Sequence, residues 1–116
     1  MLIKRISQLL SIKSIAPRWA TASSNTNVTL TLSAISGKRH SAHGLQWSYS
    51  NNPTGGRITI LSDSDVLLDH DIISGGPGGF APSTPGNLGG TLVITLYAGG
   101  AGITGKLSCQ TSTEDS

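Results

Sequence analysis

From Val28 to Ala34 apolar and polar residues alternate one for one, Val28, Leu30, Leu32 and Ala34 against Thr29, Thr31 and Ser33. A period of two is that of a strand with one face in a core. The alternation resumes at Leu45, Trp47 and Tyr49 against Gln46, Ser48 and Ser50, and again at Ile58 and Ile60. Asn51, Asn52, Pro53, Gly55 and Gly56 supply turn chemistry between those two runs, which predicts a hairpin. Asp63–Asp65 reads as a further tight turn, followed by strands over 66–73, 91–98 and 103–109, the last two joined at Gly99–Gly102. Gly37–Gly44 reads as a polar loop.

The first residues follow a different period. Leu2, Ile3, Ile6, Leu9 and Leu10 recur at three- and four-residue steps with Lys4, Arg5, Ser7 and Gln8 between them, which predicts an amphipathic helix. Pro17 ends that pattern, and the Ser-, Thr- and Asn-rich stretch up to Asn27 reads as an extended linker. An acid-free amphipathic start is also how mitochondrial transit peptides look. The reading taken here is a docking arm whose Leu and Ile face is buried against a partner. The domain plan is therefore an arm and linker over 1–27, a β knob over 28–113 and an acidic tail over 114–116.

Between the predicted fourth and fifth strands lies the 17-residue stretch 74–90, with seven glycines and three of the five prolines. A loop of that length in a compact domain usually binds something or crosses between sheets. Phe80, the one phenylalanine, sits in it with no local core predicted around it, which makes it a candidate intersubunit contact. Short strands, tight turns and one long crossover indicate an all-β fold, a small β-sandwich of jelly-roll or Greek-key type with an N-terminal helical or extended arm. Uncovered sheet edges favour oligomerisation, and a homotrimer is expected.

With 116 residues the chain holds one core. No apolar run reaches the roughly 20 residues of a membrane-spanning helix, and no membrane partner is expected. The net charge of +2 conceals a segregation: every cation but Lys106 precedes Asp63, and the half from Asp63 onward sets one lysine against six acids, a net of −5. Such polarity favours contact between oppositely charged surfaces. The basic residues are too scattered to predict direct binding of nucleic acid.

The sequence offers little chemistry. Cys109 has no partner for a disulfide or a thiolate cluster. Gly75–Gly79 leads into Phe80 with no Gly-Lys-Ser/Thr after it, so it is not a phosphate loop. His40 and His43 are flanked by Lys38 and Arg39, and the nearest further ligands, Asp69, His70 and Asp71, alternate along another strand. No catalytic residue, metal ligand or cofactor site is predicted, and the chain is read as a non-enzyme.

The strings Trp47-Ser48-Tyr49-Ser50, Pro53-Thr54-Gly55-Gly56, Asp69–Ile72 followed by Gly-Gly-Pro-Gly-Gly, and Ala98–Leu107 resemble small β-rich proteins of tailed bacteriophages. The resemblance spans about half the chain and leaves out the arm. It implies a virion protein on the capsid surface, a decoration or cement protein that stabilises the head by binding the major capsid protein, often as a trimer. The alternative is a receptor- or glycan-binding tip or fibre protein of the tail, for which Trp47, Tyr49 and the Gly/Pro loop would supply the contacts.

Overall fold

The structure, a computed structural model, describes residues 14–115. The expected docking residues Leu2, Ile3, Ile6, Leu9 and Leu10 lie outside the described residues. Within them the chain forms nine strands: β1 (Ser14–Thr21), β2 (Val28–Leu32), β3 (Lys38–Tyr49), β4 (Gly56–Ser62), β5 (Asp65–Ile72), β6 (Gly78–Phe80), β7 (Thr84–Leu88), β8 (Leu92–Leu96) and β9 (Gly105–Asp115). One sheet runs β1-β9-β3-β6, with β7 also on β3, and the other runs β2-β8-β4-β5; every pairing is antiparallel. The fold is an all-β sandwich. Because β6 and β7 pair opposite ends of β3, they act as one broken edge strand, and the two sheet orders are then those of a jelly roll.

The core is built from the alternating positions the sequence displays. Val28, Leu30 and Leu32 meet Ile58, Ile60, Leu92, Ile94 and Leu96 on one inner face, and Leu45, Tyr49, Leu107 and Cys109 close it from the other. Fully burying each of these Leu, Ile and Val side chains contributes roughly 1.5–3 kcal/mol. Burial rather than local propensity therefore holds the two sheets together.

Several expectations need correction. The runs around Trp47 and Ile58 are not a hairpin: β3 and β4 belong to different sheets, and Asn51–Gly55 carries the chain across the sandwich. The supposed loop Gly37–Gly44 is the first half of β3, whose inward positions His40 and Ala42 are too polar and too small to display an apolar period. The linker is shorter than expected, because Ser14–Thr21 pairs residue for residue with β9 from Thr113 down to Lys106. Pro17 is tolerated there because β1 is an edge strand and its missing N–H faces away from the ladder. Glu114 and Asp115 are not a free tail either; they pair with Arg39 and Lys38, and Lys38 Nζ lies 2.8 Å from Asp115 Oδ1. The knob thus spans 14–115.

The 74–90 stretch contains β6 and β7 rather than being one open loop. Its glycines are set by close approach. A Cβ on Gly75 would stand 2.4 Å from the Asn51 carbonyl oxygen, and one on Gly78 would stand 2.5 Å from Trp47 Nε1. Gly78 is the cross-strand partner of Trp47, so the indole lies over a residue that has no side chain to block it.

Candidate functional site

His40 and His43 are both engaged by oxygen partners within the sandwich. His40 is buried; its Nε2 donates to the Ser33 carbonyl at 2.7 Å, and Thr113 Oγ1 sits 2.8 Å from Nδ1. His43 Nε2 lies 2.6 Å from Ser112 Oγ and its Nδ1 2.7 Å from Ser83 Oγ. This Ser-His-Ser row was not legible in the sequence, because its members come from β3, β9 and the β6–β7 connection. It has the outline of an activated nucleophile, but Ser112 is 1% exposed and the third group is a hydroxyl rather than a carboxylate. No substrate carbonyl can reach the Ser112 oxygen without the sheet opening. His70 faces the Phe80 ring edge-on at 6.1 Å, while Asp69 points the other way to a bidentate contact with Arg57 at 2.7 Å. Among the described residues no three His, Cys, Asp or Glu side chains converge as metal ligands.

Trp47 and Tyr49 face the core, as their alternation with Leu45 predicts, whereas Phe80 departs from expectation. Phe80 does have a local core: it pairs with Leu45 and packs against the buried cluster of its own sandwich. Tyr49 is buried, with its hydroxyl donating to the Tyr97 carbonyl at 2.8 Å, and burial pushes its phenol above the usual range. Trp47 is half-buried and packs on the same cluster. The exposed aromatic is Trp19, 75% accessible. Sequence reading missed it because the strand around it, Ala-Pro-Arg-Trp-Ala, has no apolar alternation.

Trp19 stands on the outer face of the first sheet. Ala20 and Leu107 turn inward to the core, so their neighbours turn outward. The register then aligns three rows across β1, β9 and β3: Pro17 with Gln110 and His43, Trp19 with Ser108 and Gln46, and Thr21 with Lys106 and Ser48. Two shallow hollows of about 300 and 370 Å³ flank the central row and share Trp19, Ser108 and Gln46. The small Ser108 side chain is the floor between an indole and a primary amide. The bulge in β3 between His43 and Gln46 places Gly44 at the second hollow, where no side chain intrudes. Lys106 lines the first hollow and makes no ion pair among the described residues; no carboxylate lines either.

Sequence comparison names no family. No protein-family model matches the chain, and no curated protein matches it. Among solved structures it is similar to the CBM36-1 domain of a multidomain xylanase from the hindgut metagenome of Trinervitermes trinervoides, at 10% identity and TM-score 0.45 over 90% of this chain and 98% of that one. It is also similar to a Bacillus endospore appendage protein of a family of disulfide-linked pili, at 16% identity and TM-score 0.46 over 89% of each chain. Latent PorU from Porphyromonas gingivalis matches at 12% identity and TM-score 0.47, over 90% of this chain and 13% of that one. Likeness at this level says nothing of ligand, partner or activity.

Proposed function

We infer that this chain is a non-catalytic structural protein of a tailed-bacteriophage virion, a capsid decoration protein. It sits on the head and stabilises it by binding the major capsid protein. The observation that carries this reading is the way the N-terminal segment joins the knob. Residues 14–21 are zipped onto β9 along their whole length, so residues 1–13 are tethered to a rigid jelly roll by an eight-residue ladder. Leu2, Ile3, Ile6, Leu9 and Leu10 then supply apolar area for the capsid contact. A homotrimer would present three such segments at once and lengthen residence by effective concentration. The tail-tip alternative draws on Trp47, Tyr49 and the Gly/Pro loop; the burial of Tyr49 and half-burial of Trp47 against the core favour the capsid reading over it.

The test is a truncation at residue 13, which spares β1. Virions assembled with the 14–116 chain should lose the protein while the purified knob keeps its melting transition. Retention at full occupancy would contradict attachment through this segment. The trimer is read by sedimentation equilibrium of the full chain, where a monomer at micromolar concentration would refute it.

A further inference from the structure

We propose that the outer face of the β1-β9-β3 sheet, centred on Trp19, is a binding site for an acidic saccharide chain. This goes beyond the capsid reading and is independent of it, because the groups involved lie within β1, β3 and β9 rather than in residues 1–13.

The ligand class follows from the groups the face offers. Trp19 presents a flat ring to solvent at 75% exposure, an arrangement that stacks on the C–H face of a pyranose as it does on other apolar planes. Strands in a sheet lie about 4.8 Å apart, so Trp19 and Gln46, two strands apart, bound a trough about 10 Å wide with Ser108 as its floor. Gln46, Gln110, Ser48, Thr21 and Ser108 provide paired donors and acceptors at the spacing of the rows, which suits the hydroxyls of successive sugars.

Charge selects among saccharides. Lys106 lines the first hollow and Arg18, whose Nε donates to Thr111 Oγ1 at 3.2 Å, lines the second; neither has a carboxylate partner among the described residues, and no acid lines either hollow. A uronate carboxylate or a sugar phosphate complements these two cations. A nucleic acid would require several cations along its phosphates, and a protein partner would require more than one exposed apolar side chain at the centre of the contact.

The probes are polygalacturonate, alginate and hyaluronate, with dextran as the neutral comparison, in native gels of the full chain. At least one acidic polymer should retard the protein, and dextran should not. Trp19→Ala should abolish the retardation with an unchanged melting curve, because the ring is exposed. Lys106→Gln should weaken it about tenfold, with Lys106→Arg restoring most of it. Gln46→Ala, a second exposed change, should weaken binding should Trp19→Ala fail to fold. Retardation by none of the three polymers overturns the proposal. So does retardation that Trp19→Ala and Gln46→Ala leave intact, which marks plain attraction of a basic chain to a polyanion. Equal retardation by dextran overturns the acidic preference. If the chain self-associates without polymer and Trp19→Ala disperses it, the face is a contact between copies and the proposal fails.

Discussion

The Tyr49 hydroxyl donates to the Tyr97 carbonyl across 2.8 Å and so joins β3 in one sheet to the end of β8 in the other. It is one of several polar bridges between the sheets, beside His40 Nε2 on the Ser33 carbonyl and the Asn87 N–H on Ser62 Oγ at 2.8 Å. Tyr49→Phe leaves the carbonyl without that donor while keeping the ring. We expect a loss of about 1–2 kcal/mol in urea unfolding, and an unchanged midpoint would show that the carbonyl finds another partner.

Gly75→Ala should destabilise by about 1–3 kcal/mol. The obstacle is backbone, the Asn51 carbonyl at 2.4 Å from an added Cβ, so no side-chain rotation relieves it. Gly76→Ala, where the added carbon meets nothing nearer than Ser74 Oγ at 3.9 Å, is the matched comparison and should be close to neutral. Equal midpoints for the two variants would contradict the packing described for the β5–β6 connection.

How far the sequence discloses this fold depends on what each strand buries. Val28–Leu32 and Ile58–Ile60 line the core with branched apolar residues, and their period is plain. Lys38–Gly44 buries a histidine, a serine and an alanine, so the same geometry leaves no apolar trace. Ala20 of the edge strand β1 packs against the core without marking a period, and β6 is Gly-Gly-Phe, whose strand character comes from pairing with Leu45–Trp47. Which sheet a strand joins is a long-range matter, and Asn51–Gly56 looks the same as a hairpin turn or as a crossover. The candidate face was hidden for the same reason, since Trp19, Ser108 and Gln46 meet only through the β1-β9-β3 register.

Acid should weaken the fold below the usual carboxylate range. The Thr91 backbone N–H and the Asn87 amide hold the Asp63 carboxyl below its ordinary 3.8, and Arg57 does the same for Asp69. Both groups bind protons more weakly in the folded chain, so the unfolded chain takes up protons first as pH falls through 3.8. Their contribution is complete above that value and is lost as pH drops through the depressed folded values. Melting temperature should fall as pH drops below about 4. Asp63→Asn should flatten part of that fall, and an identical profile would remove Asp63 from the account.

Cys109 should be inert in the native chain. Its thiol is buried, burial pushes its ionisation above the ordinary value of 9.0, and its Sγ lies 3.4 Å from the His43 carbonyl as a weak donor. A chromogenic disulfide reagent at pH 8 should react only on addition of denaturant. Full reaction within minutes under native conditions would show that the β3–β9 pairing opens readily.

Locating and counting the protein on purified virions, by cryo-electron microscopy combined with quantitative mass spectrometry, reads a structural role at the capsid surface outright. The account predicts copies distributed over the head in fixed ratio to the major capsid protein. Copies confined to the tail tip, or no copies in the particle, would contradict it.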